Sequence, residues 1–222
     1  GYLRGLDLGG RGLAALARLH RETRDIGPEL SRQTIALTEG DTTSRRFLPG
    51  FAQPGAVRLF DHIWPELAEA FVGLGSQGID VIVDAGRLGR DGLPVALLEI
   101  ADAIGFVLQS NLKSLAASRL YLPLLAEQVS TLPADRPLGL MLVGPDRPYS
   151  VREITAQFGI DCWARIPWDP KPAGVLSHGL TPPRKFNNSP LLGSYRVAAL
   201  HLTQRLERAR ALRRELLQGG AP

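Results

Sequence analysis

Ile79-Asp80-Val81-Ile82-Val83-Asp84 is a β-branched run closed by a carboxylate. Strands buried on both faces of a parallel sheet are built from such runs. After it, helical and strand periodicities alternate: helices are predicted near 93–101, 112–128 and 150–158, and strands over 103–109, 138–143 and 161–166. Strands separated by helices of this length need crossover connections, which give a parallel sheet covered on both sides. The fold class that follows is α/β, a doubly wound and mostly parallel sheet in three layers, with a long C-terminal helix.

Ahead of that run, Leu13, Leu16, Ala17 and Leu19 mark an amphipathic helix over 12–22, and Pro28 breaks the pattern. Residues 33–37 and 45–48 read as short strands, with Pro49-Gly50 and Pro54-Gly55 as turns. A helix is predicted from Pro54 to Val72, ended or kinked by Pro65. Gly73-Leu-Gly75-Ser-Gln-Gly78 matches the dinucleotide fingerprint in form, but that motif works between a strand and the helix it opens. Here it precedes a strand and reads as a helix stop and turn. Pro182-Pro183 and the polar run to Ser189 form a linker. Beyond it, Leu192, Tyr195, Ala199, Leu202 and Leu206 mark one stripe of a terminal helix, with Arg205, Arg208, Arg213 and Arg214 on the opposite side. The expected organisation is one α/β domain over 1–181, a linker over 182–189 and a helix over 190–218 packed on the domain.

Composition excludes several classes. At 222 residues and 44% hydrophobic content the chain can bury a full-sized core. A single cysteine, Cys162, rules out an intramolecular disulfide framework and a cysteine-based zinc cluster. It fits a reducing compartment, and a cytoplasmic location is expected. No stretch approaches the roughly 18 to 20 apolar residues of a membrane span, so no transmembrane segment is expected. The charge of +4, from 26 basic against 22 acidic residues, permits contact with DNA or a membrane surface without arguing for either. His20, His62, His178 and His201 lack paired ligand spacing. The opening Gly1-Tyr-Leu-Arg-Gly-Leu6 reads as a continuation, and a preceding segment is expected.

Ligands of open parallel sheets gather beyond the carboxyl ends of the strands. Asp84 stands at such an end, followed by Ala85-Gly86-Arg87-Leu88-Gly89. A carboxylate there can hold a magnesium-bound water beside a triphosphate, while a glycine loop closes over the γ-phosphate. Equally, a strand-terminal Asp caps the turn that follows it. The residues alone leave both readings open. Asp84 with Ser110 also suggests a phospho-receiver, but Gly144 stands where that chemistry needs a lysine.

Gly78 to Gly89 resembles the second carboxylate strand and switch loop of the MinD/ParA family of deviant-Walker ATPases. Leu97–Asp102 with Ala103–Leu108, the helix from Ser110, the strand 138–143, and Ala164-Arg-Ile-Pro167-Trp168-Asp169 continue the likeness over roughly residues 45–180. The resemblance implies a P-loop NTPase-like fold and an ATPase that binds ATP and magnesium. It implies a homodimer or protein-partner switch used in positioning, chromosome partitioning or regulation. Asp84 would organise magnesium through water and serve catalysis, Gly86 and Gly89 would form the switch, and Arg147, Pro167 and Asp169 would border the base. The family's lysine-bearing phosphate loop is not among these residues, so the chain is expected to be inactive as it stands. The switch loop carries Gly86-Arg87 where the family has Pro, and Gly144-Pro145-Asp146-Arg147 stands where it places Asn. These departures support the alternative, a non-catalytic scaffold that keeps the fold without binding nucleotide.

Overall fold

The computed structural model describes residues 10–23, 26–37, 45–51, 60–89, 92–133 and 135–219. They form two compact units: one up to Gly86 together with Pro94–Ile100, the other Arg87–Leu93 and the chain from Ala101 onward.

The first unit is mostly helical. Helix α1 (Leu13–Thr23) and the single turn α2 (Gly27–Leu30) precede β1 (Ile35–Ala36) and β2 (Arg46–Phe47), which pair antiparallel. Helix α3 (Trp64–Ser76) follows, and the short α4 (Val95–Ile100) packs on it. Pro65 sits in the first turn of α3, where its missing N–H would have no partner in any case. The proline therefore starts this helix instead of kinking a longer one; residues 54–59 of the expected helix lie outside the described set. Leu16, Ile26, Leu30, Phe60, Ile63 and Leu67 make the core. At its centre Phe60 meets Trp64 edge-on at 4.7 Å and Phe51 at 5.3 Å. The glycine fingerprint closes α3: Gln77 follows the last turn, and Gly78 takes a left-handed φ of 77°.

The predicted strand at Ile79–Asp84 does not form. It pairs with nothing among the described residues, and Ile82 is 94% exposed. β-branched side chains favour a position on a pleated, covered surface, but a strand also needs a neighbouring ladder for its N–H and C=O groups. The residue pattern carries the first condition and says nothing of the second.

The second unit holds the parallel sheet. Strands β3 (Ile104–Gln109), β4 (Leu138–Val143) and β5 (Cys162–Ile166) pair in the order β3-β4-β5, with Ile104 opposite Leu138 and Val143 opposite Ile166. Helix α5 (Leu112–Ser130) joins β3 to β4 and packs on β3; α6 (Val151–Phe158) joins β4 to β5 and touches α5. Alternation along the strands turns Leu140 and Leu142, both fully buried, to one face. Met141, Val143, Ala164 and Ile166 take the other, against α7 (Pro170–His178) and the long α8 (Pro190–Gly219). The result is a helix–sheet–helix arrangement, with the C-terminal helix lying against β5.

Helix α6 starts on a reciprocal cap. The Glu153 amide donates to Ser150 Oγ at 3.3 Å, and the Glu153 carboxylate accepts from the Ser150 amide at 2.8 Å. The Ser150 hydroxyl also donates to the Glu153 carboxylate at 2.6 Å, and this bond, joined by the one from the Ser150 amide, holds the exposed Glu153 carboxyl below its ordinary pKa. The cap is therefore complete above the ordinary carboxylate range and is lost as pH falls through the lowered value. Ser150→Ala is expected to speed amide exchange of residues 151–154 about fivefold, the usual worth of an N-cap hydroxyl. Hydrogen-exchange NMR at neutral pH reads it directly.

Candidate functional site

The carboxyl ends of β3, β4 and β5 enclose a cleft of about 190 Å³ lined by Gln109, Ser110, Asn111, Gly144, Arg147 and Trp168, with Val143 behind. Its walls are fixed by local hydrogen bonds. Asn111 caps α5 by accepting from the Ser114 amide at 2.9 Å, and its side-chain amide donates to Gln109 Oε1 at 2.8 Å. The Gln109 amide donates to Ser114 Oγ at 3.1 Å. Ser110, fully buried, donates its hydroxyl to the Tyr149 carbonyl at 2.6 Å, which fastens the β3 end to the loop after β4. That bond gives Ser110 a structural duty.

Gly144 turns the chain out of β4 with φ 65°, while its amide donates to the Ile166 carbonyl at 2.7 Å. It is this left-handed φ that calls for glycine, since a Cβ here would meet the Trp168 side chain in ordinary contact at 3.4 Å. Asp146 also takes positive φ, which swings the following Arg147 to the cleft. Trp168, half exposed, lines the cleft together with Arg147. An aromatic plane, a cation and backbone polar groups around one concave site can take a flat, polar, anion-bearing ligand.

The structure thus brings Arg147 together with Trp168, and Pro167 and Asp169 flank the tryptophan in sequence. Asp169 stands before α7 without capping it through its side chain. Asp84 and Gly86 belong to the first unit and Gly89 to the second, and none of the three lines the cleft. Asp84 Oδ1 accepts the Gly86 amide at 2.9 Å, the turn-capping geometry, and Gly86 adopts φ 70° to make it. Among the described residues no cluster of three or more His, Cys, Asp or Glu is placed to hold a metal. His20 is engaged by Glu66 at 2.7 Å. Burial raises the Cys162 thiol pKa despite the opposing charge of Arg165, so the thiol stays protonated at neutral pH and is a poor nucleophile.

No protein-family model matches the chain, and no curated protein matches it. A solved structure does: the ParA family ATPase from Chlorobium tepidum TLS, with a TM-score of 0.57 over 86% of this chain and 75% of that one. The chain has a ParA-like fold. Sequence identity across the match is 16%, which speaks for architecture alone. Within a ParA-like fold the cleft at the carboxyl ends of the strands lies where open α/β sheets receive ligands.

The residues present fit magnesium ATP at one end only. The cleft suits a base, through Trp168, Arg147 and the backbone after β4. The phosphates need a glycine-rich loop of N–H groups and a lysine at a helix start. Lys113 and Lys171 lie in the first turns of α5 and α7, behind Gln109-Ser110-Asn111 and Pro167-Trp168-Asp169, and neither loop is glycine-rich. Lys185 precedes a 3₁₀ turn at Phe186–Asn188. Among the described residues none of the three lysines stands in a glycine-rich phosphate cradle.

Two features escaped sequence reasoning. The lining by Gln109 and Asn111 is set by the β3-to-α5 turn, whose Asn-x-x-Ser pattern signals an N-cap without signalling a cleft. Arg205 was expected on the solvent side of α8, yet its guanidinium lies 5.3 Å from the ring centre of Trp163. Leu191 and Ala198, fourteen and seven residues before it, both pack on the sheet, and the same helix face carries Arg205 inward.

Proposed function

We propose that this chain is the base-binding and partner-switching portion of a ParA-like nucleotide switch. The single observation that supports the reading most is the juxtaposition of Arg147 and Trp168 over Gly144, at the carboxyl end of a parallel sheet. In this reading the indole stacks on adenine, and backbone groups around Gly144 and Pro167 meet its edge. ATP and magnesium are the cofactors. The phosphate cradle is supplied by a strand–loop–helix unit other than the described elements. Strand β3 offers it a place: it is the outer strand of its sheet, and Val107 is 63% exposed. The chain by itself is then inactive in hydrolysis, and homodimer or partner-protein contacts follow nucleotide state. A cytoplasmic setting suits such a switch, and no described helix is long and apolar enough to cross a membrane.

The non-catalytic scaffold is the second reading, favoured by the Asp84 bond to the Gly86 amide, which occupies the carboxylate in a turn. Anisotropy of a fluorescent ATP analogue with magnesium separates the two. It is measured on this chain and on the chain joined to a glycine-rich, lysine-bearing strand–loop–helix unit. The switch reading expects at least about tenfold tighter binding by the joined form, weakened about tenfold by Trp168→Ala, the scale of one lost stacking contact with a base. No binding by either form leaves the scaffold.

A further inference from the structure

The opposite end of the same sheet carries a second and larger cavity, of about 430 Å³, between the starts of the strands and helix α8. Its floor is apolar, made of Ala103, Pro137 and the buried face of Trp163. Its wall is one side of α8: His201, Gln204, Arg205 and Arg208, spaced by three, one and three residues and so aligned along the helix. Helix α8 therefore changes character along a single face. Leu191 and Ala198 seal it to β5, and about two and three turns later Arg205 and Arg208 make the same face cationic over a hollow.

We propose that this hollow binds a small oxyanion joined to a flat apolar body. Arg205 stacks on the Trp163 indole, 5.3 Å from its centre. Stacking fixes the orientation of the planar guanidinium and leaves its N–H edge free to grip two oxygens of one anion. Arg208 and Gln204 add donors on the same side, while Pro137 and Trp163 accept the apolar part. Trp163 is 8% exposed and recessed, so a ligand must enter the hollow to reach it, as a small molecule can and a DNA duplex cannot. The volume lies within the range of small-molecule pockets, roughly 300 to 1,000 Å³. Asp102 at the rim, which has an interaction of its own, sets a limit on how much negative charge the mouth tolerates. Cys162, protonated as described above, adds no charge to the floor. Nothing in this assignment rests on the nucleotide reading, whose cleft lies at the other strand ends.

The test is ¹⁵N NMR of the three tryptophan indole N–H signals of the full chain, assigned with Trp64→Phe and Trp168→Phe. The probes are 2-naphthoate, 2-naphthyl phosphate and the neutral 2-naphthalenemethanol. The proposal expects one or both anions to shift the Trp163 signal saturably, with the neutral probe about tenfold weaker or more. Shift by the carboxylate alone or the phosphate alone identifies which oxyanion the site prefers. Arg205→Ala is expected to weaken the anions about tenfold and Arg205→Lys, which keeps the charge but loses the fork, to fall between; Arg147→Ala leaves them unchanged. If Arg205→Ala does not fold, Arg205→Lys and the neutral probe decide. Equal binding of the neutral probe, an unmoved Trp163 signal, or a Trp163 shift by duplex DNA and by neither small anion overturns the proposal.

Discussion

Gly139→Ala is expected to destabilise the sheet by on the order of 3 kcal/mol, more than most single substitutions achieve. A Cβ at Gly139 would lie 2.0 Å from two atoms of the Trp163 indole, which crosses β4 at that point. No real contact is that short, so the ring or the strand must move. The ring is a rigid bicycle, nearly buried and held from above by Arg205. The strand is the middle one of three, laddered on both edges. The decisive control is the double variant Gly139→Ala with Trp163→Ala, read by urea denaturation. Trp163→Ala alone costs about 3 kcal/mol or more through lost packing, and the second substitution should then add little. Simple additivity would mean that the steric account of Gly139 is wrong.

Phe60→Ala is expected to cost about 3 to 5 kcal/mol, the range for removing a fully buried phenyl ring. Phe60 has no exposed surface, and the edge-on contacts to Trp64 and Phe51 add to its burial. Its loss removes the centre of the first unit's core, between α1 and the start of α3. Hydrogen exchange by mass spectrometry should show faster exchange in residues 13–23 and 64–76. Substituting Val107, which is 63% exposed, should stay within about 0.5 kcal/mol. Similar costs at both positions would contradict the assigned core.

The sheet of the second unit was readable because its strands are short apolar runs with punctuation at each end. Strand β4, between Pro137 and Gly144, matches its expected bounds, and β3 and β5 differ by a residue at one end. Helix α7 escaped because Pro170, Pro172 and Gly174 hide its period, although prolines in a first turn are compatible with a helix. Ile79–Asp84 had the strongest strand composition in the chain and formed no strand, since pairing depends on a neighbour that composition does not encode. Of the residues expected to border a base, Arg147 lines the cleft, whereas Pro167 and Asp169 only flank the lining Trp168 in sequence, and Gln109 and Asn111 needed the turn geometry. The hollow under α8 was out of reach, because strand-end logic looks to the carboxyl ends and the cationic wall is revealed only by the side of α8 that meets the sheet.

The proposal is that the described residues form the base-binding end of a nucleotide site without its phosphate end. The direct measurement compares adenosine with magnesium ATP on this chain by titration, following the Trp168 indole signal assigned with Trp168→Phe. The account predicts weak binding of both, with affinities equal within about threefold, because no cradle rewards the phosphates. ATP binding tenfold or more tighter than adenosine would contradict it and place a phosphate site within these residues. Binding of neither would remove the base site as well.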